Sequence, residues 1–193
     1  MERTGPMMNS SIKIFLIRHA SPNWDLKSIP YDIHPGPPLS ARGEIEAGQA
    51  ATFLQAHNVV KLYYSPFERS ARTAQIIAAH NQIPAVEEKR LSEWRQADEI
   101  GEKVRERMSA VFGEIVKESA GVGPIGLVSH GGPINFLLLA LGFDEQRLAE
   151  FRKKFDGFNP LPPAGIWVAR AEPDANSWEL NLVFVPPTDG DIV

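Results

Sequence analysis

Four short apolar runs, each breaking into polar residues and followed by a loop or helix, constrain this chain most. Ile12–Ile17, Val59–Tyr64 and Ile125–Val128 are rich in β-branched, aromatic and leucine residues, the signature of buried strands. A weaker run, Ala85–Leu91, is interrupted by Glu87-Glu88-Lys89-Arg90. Helical stretches fall between or after them: Ala41–His57, Ser70–His80, about Ala97–Ser119, and the apolar Ile134–Leu141. The third repeats apolar residues at spacings of three and four, placing Ile100, Val104, Met108, Val111, Phe112 and Ile115 on one face. Strands alternating with helices predict an α/β fold, a mainly parallel sheet covered on both faces as a three-layer α/β/α sandwich. Near the end, Ile166–Ala169 and Trp178–Val185 flank the turn-rich stretch 172–177, which predicts an antiparallel C-terminal hairpin at the sheet edge.

The reactive side chains collect at the ends of these runs. Arg18-His19 follows the first strand, Arg69 and Arg72 the second, Glu93 the third and His130 the fourth. In a parallel sheet those junctions share one rim, where open α/β sheets bind ligands. Guanidiniums, two imidazoles and a carboxyl in one crevice suit a phosphoryl group. Arginine forks bind its oxygens and stabilise the charge that spreads over them in transfer. A neutral imidazole beside them can act as nucleophile. For Arg18-His19 alone, an interface arginine beside a hydrogen-bonded structural histidine is the plainer alternative.

Read together, Leu16-Ile17-Arg18-His19, Leu39-Ser40-Ala41-Arg42-Gly43, Ser65-Pro66-Phe67-Glu68-Arg69-Ser70-Ala71-Arg72-Thr73-Ala74, Leu91-Ser92-Glu93 and Val128-Ser129-His130-Gly131-Gly132 carry a resemblance. From about Ile12 to Val185 the chain resembles the histidine phosphatase superfamily, whose relatives include the cofactor-dependent phosphoglycerate mutases. That resemblance implies a phosphoglycerate mutase-like fold and a phosphohistidine formed on His19. It implies that Arg18, Arg69, His130 and Gly131 bind the phosphoryl group. Glu93 would protonate the leaving oxygen and then deprotonate the attacking water; Glu99 and Glu102 are alternative acids. The chain departs from the family pattern at Ala20, where Gly is usual, at Pro22, where a hydroxyl residue is common, and at Asp25, which replaces an Asn. After Glu93 the usual substrate-capping segment looks abbreviated.

The other polar and aromatic residues have plainer readings. Arg72 could turn into the site or pair with a surface carboxylate. His57 and His80 suit helix C-termini, and His34 sits in the proline-stiffened loop Tyr31–Leu39. Trp24 could line the pocket, whereas Trp94, Trp167 and Trp178 read as packing residues.

Composition excludes several classes. The 193 residues carry a formal charge of −4, so no basic field points to nucleic acid. No cysteine is present, which removes disulfides, thiolate metal sites and a thiol nucleophile, and fits a cytoplasmic setting. No apolar stretch approaches the roughly 18 residues of a membrane span. No Gly-x-Ser-x-Gly elbow and no Gly-x-x-x-x-Gly-Lys loop occur. His19 and His130 lie far apart and no paired-ligand spacing is present, so no metal and no cofactor are expected. We expect a loose tail over residues 1–11 and one catalytic domain over 12–193. The favoured activity is a phosphatase acting on a small phosphorylated metabolite or a phosphoprotein. A phosphoglycerate mutase or a non-catalytic phosphate-binding module are the alternatives. Neither substrate nor oligomeric state is legible.

Overall fold

The computed structural model describes residues 11–172, 175 and 177–187. The tail expected over residues 1–11 lies, but for Ser11, outside the described residues. Six strands form one sheet: β1 (Ile12–Arg18), β2 (Lys61–Tyr64), β3 (Ala85–Glu87), β4 (Ile125–Ser129), β5 (Ile166–Ala171) and β6 (Glu179–Phe184), in the order β3-β2-β4-β1-β5-β6. β1, β2, β3 and β4 pair in parallel, while β5 runs antiparallel to β1 and β6 antiparallel to β5. The expected mainly parallel sheet with an antiparallel C-terminal edge is therefore present.

The helices are α1 (Ala41–Ala56), α2 (Glu68–Asn81), α3 (Gly101–Val122), α4 (Gly131–Ala140) and α5 (Glu145–Lys154). Alternation along β1 divides the core, because successive side chains of a strand point to opposite faces. Ile14 and Leu16 join Val104, Met108 and Ile115 of α3, Leu137 of α4 and Leu148 of α5. Phe15 and Ile17 join Ala47, Ala50 and Leu54 of α1 and Ala74 and Ile77 of α2. The sheet is thus sandwiched between two helical layers. Burial on both faces is what makes Ile14–Ile17 of β1 continuously apolar, and it delivers Arg18 and His19 directly to the rim.

Three local readings need correction. Ile100 does not face the core: it is 66% exposed and precedes α3 as its extended N-cap residue. α4 begins at Gly131, not Ile134, since Pro133 needs no N–H partner in a helix's first turn. α5 has no counterpart in the sequence reading. It buries only Leu148, and its remaining surface is mostly charged, so apolar periodicity does not reveal it. Its start is fixed by Asp144, whose side chain accepts the Arg147 N–H at 2.9 Å.

The loop after β1 is clamped to α1. The Glu46 carboxylate, buried on α1, accepts from the Ser21 N–H at 2.8 Å and from the Ser21 hydroxyl at 2.9 Å. Gly43 sits under that loop, and a Cβ there would stand 2.1 Å from the Ser21 carbonyl oxygen. Backbone cannot yield cheaply. Gly43→Ala should therefore destabilise the protein by about 1–3 kcal/mol in urea unfolding. Stabilisation by the up to about 1 kcal/mol that alanine brings to an unconstrained helix would contradict this close approach.

Candidate active site

His19 follows the last residue of β1 and is fully buried. Its backbone is held from two sides: its N–H donates to Ser129 O at 2.9 Å, and its carbonyl accepts from Ala164 N–H at 3.1 Å. The next peptide is tied to α2, where the Thr73 hydroxyl accepts the Ala20 N–H at 3.1 Å. His19 Nδ1 lies 2.8 Å from the Ala20 carbonyl oxygen, which can only accept. Nδ1 therefore carries the proton and Nε2 presents a lone pair. That lone pair accepts from the Tyr31 hydroxyl at 3.0 Å.

His130 stands at the matching position after β4, its ring centroid 5.1 Å from that of His19. Its Nε2 is 2.8 Å from Ser65 Oγ, on the loop after β2. Its Nδ1 lies 3.2 Å from both Arg69 Nη2 and Glu93 Oε2. With its proton on Nε2, His130 accepts from Arg69; with the proton on Nδ1, it donates to Glu93. Arg69, in the first turn of α2, is fully buried and ties the group together. It donates to the Tyr31 carbonyl at 2.9 Å and to Glu93 Oε2 at 3.1 Å. Arg18 donates to Asp156 Oδ2 at 3.1 Å and to Leu161 O at 2.9 Å. Gly131 opens α4 where Asn159 packs; a Cβ would overlap the Asn159 amide oxygen. His19, Arg18, Arg69, Glu93, His130 and Gly131 thus converge on one rim, as the strand-end pattern expects.

The other candidates disperse. Arg72 pairs with Glu44 at 2.6 and 2.7 Å on the exposed side of α2, outside the site. Glu99 pairs with Arg107 at 2.8 Å and Glu102 is exposed in the first turn of α3, whereas the Glu93 carboxylate lies beside the imidazoles. His57 packs on Phe53, and His34 meets the edge of Phe67. Trp167 is core, whereas Trp24 is 62% exposed and stacks on Tyr31. Sequence reading missed Tyr31 and Asp156. Both lie in loops whose partners are distant in the chain, and neither carries a motif. A surface cavity of about 630 Å³ is lined by Ser21–Asp25, Arg42 and neighbours rather than by either site histidine.

Burial, reinforced by Arg69, His130 and Arg18, holds the His19 pKa well below the usual histidine value. Burial likewise lowers that of His130, to about 4, against the opposing pull of Glu93. For Glu93 burial pushes upward but loses to His130, Arg69 and the Trp94 N–H, and the carboxyl sits at about 2. Near neutral pH the site therefore holds two neutral imidazoles, two guanidiniums and a carboxylate. His19, Glu93 and His130 offer donor atoms within 4.8 Å of one another, a span that could enclose a metal ion. Arg69 already donates to the Glu93 and His130 atoms, and its charge opposes a second cation there.

The sequence matches the family model of the histidine phosphatase superfamily (branch 1) over residues 14–101. That match spans somewhat less than half of the chain. The matched segment contains Arg18, His19, Arg69 and Glu93, and ends before His130. No curated protein matches the chain in sequence. Among solved structures, phosphoglycerate mutase from Bacillus anthracis is similar at 15% identity and TM-score 0.72, over 91% of this chain and 93% of that one. Bacillus stearothermophilus YhfR is similar at 17% identity and TM-score 0.68, over 94% and 98%. A mycobacterial glucosyl-3-phosphoglycerate phosphatase, solved in complex with VO3, is similar at 19% identity and TM-score 0.65, over 91% and 100%. These likenesses establish a shared phosphoglycerate mutase-like fold.

The neutral imidazoles carry a consequence for stability. A histidine whose folded pKa lies below its unfolded value near 6.5 costs nothing above that pH. Below it, the unfolded chain takes a proton that the folded one refuses. Stability should thus fall as pH drops from about 6.5 towards 4, the window set by His130, with His19 adding to it. Thermal melts across that range should show His130→Gln losing less per pH unit than the parent. Parallel curves would place the titration elsewhere.

Proposed function

We propose that the chain is a phosphomonoesterase working through a phosphohistidine on His19 Nε2. The observation that carries this reading is the unprotonated Nε2 of His19, directed by its Nδ1–H bond to Ala20 and set among the Arg18 and Arg69 guanidiniums. Each guanidinium keeps a buried Nε–H with no protein acceptor among the described residues, a donor that a phosphoryl oxygen can satisfy. The Nε2 lone pair forms an N–P bond while the ester P–O bond breaks, and the departing oxygen takes a proton. Water then attacks phosphorus, gives up its proton, and returns the bonding pair to Nε2. The sum is ester plus water to alcohol plus inorganic phosphate.

Glu93 serves as the proton carrier in this scheme. Without ligand it is ionised. A phosphate dianion drawn onto Arg69 adds negative charge beside Glu93 and competes for its cation, so its proton affinity rises when substrate arrives.

Hydrolysis is favoured over mutase chemistry by the connection after Glu93. Only a short segment separates the 3-10 turn Lys89–Leu91 from α3 at Gly101, too little chain to enclose a bisphosphate. Residues 12–193 then act as one catalytic domain on a small phosphorylated metabolite or a phosphoprotein. The cysteine-free composition supports a cytoplasmic setting. No helix of the described residues is long and apolar enough to cross a membrane.

With p-nitrophenyl phosphate as substrate, His19→Ala and Arg18→Ala should each lose at least about two orders of magnitude in kcat/KM. Near-normal turnover by either variant would overturn the assignment. Glu93→Gln should slow alkyl phosphates more than aryl phosphates, whose leaving groups need little protonation. Equal losses on both would assign the proton to another group.

A further inference from the structure

The phenol of Tyr31 reaches the nucleophile from a loop that returns to the rim between β1 and α1. Its hydroxyl stands 3.0 Å from His19 Nε2. Because the imidazole proton is on Nδ1, the hydroxyl donates to the one lone pair His19 has to offer. Phosphorus must approach that same lone pair to about 3 Å, so the hydroxyl and a phosphoryl group exclude each other. The ring behind the hydroxyl is gripped as well. The Arg69 guanidinium carbon lies 3.9 Å from its centroid, and the Trp24 indole stacks on it at 4.9 Å and 17°. A fully buried guanidinium and a near-parallel, largely exposed indole form a slot that accepts one flat aromatic ring.

We propose that Tyr31 is an internal stand-in for substrate, its hydroxyl on the attacking atom and its ring in the leaving-group seat, and that this seat selects phosphomonoesters with an aromatic leaving group. The inference rests on the phosphatase reading above. When the Tyr31 side chain swings out, the seat loses a cation–π contact and a stacking contact. A ligand bringing only a phosphoryl group restores neither, whereas an aryl ester restores both. Displacing Tyr31 also weakens apparent binding of every ligand, by the fraction of molecules in which the seat is open.

The test uses methylphosphonate and phenylphosphonate, which have no ester bond to cleave, as competitive inhibitors of p-nitrophenyl phosphate turnover. Tyr31→Phe keeps the ring and removes only the hydroxyl bond, so both inhibitors should tighten about three- to tenfold. Tyr31→Ala empties the seat, and phenylphosphonate should then gain several-fold more than methylphosphonate. Adding Trp24→Ala to Tyr31→Ala should abolish that difference. Unchanged or weaker binding of both inhibitors to Tyr31→Phe would overturn the stand-in, and this conservative variant decides that point even if Tyr31→Ala does not fold. Equal gains by both inhibitors in Tyr31→Ala would overturn the aromatic seat. Failure of the unaltered protein to hydrolyse p-nitrophenyl phosphate or bind orthovanadate would overturn the phosphatase reading and this inference together, and it is seen before Tyr31 is touched.

Discussion

A guanidinium taken wholly out of water draws acceptors to it, and the two terminal nitrogens of Arg69 find theirs in a way that organises everything near it. One arm holds the Tyr31 backbone, the other reaches Glu93 and His130, and aromatic faces of Tyr31 and Phe67 cover the plane. An uncompensated buried charge costs several kcal/mol, so these partners cannot drift independently. The loop after β1, the turn after β3 and the start of α4 are thereby drawn to the first turn of α2. The sheet brings these elements to one rim, and Arg69 fixes how their side chains meet.

That charge has opposite effects on its neighbours. It helps keep His19 neutral and so keeps a lone pair available, and it helps strip Glu93 of the proton a general acid needs. An arriving phosphate dianion relieves the conflict by sharing the guanidinium. In the proposed reaction, a site organised this way would reserve its acid for the moment a substrate is present.

The parts legible in sequence were those written in periodicity. The apolar run Ile14–Ile17 within Ile12–Ile17 announced a strand buried on both faces, and the run of α3 announced its helix. Parallel pairing then placed Arg18, His19, Arg69, Glu93 and His130 on a common edge. What stayed hidden depends on long-range contact. α5 is a charged surface helix with one buried residue, so burial left no pattern in it. Asp156 and Tyr31 acquire their roles only when the chain returns to Arg18 and His19. Arg72 shares a helix and a motif with Arg69, yet three residues along α2 turn it to Glu44 and solvent.

The most direct test of the account is to incubate the protein with p-nitrophenyl phosphate, quench in alkali, and locate any phosphoryl group on the chain. It should be found on Nε2 of His19, because Nδ1 is committed to the Ala20 carbonyl. A phosphoryl group on Nδ1, on any other residue, or on none while turnover proceeds would contradict it.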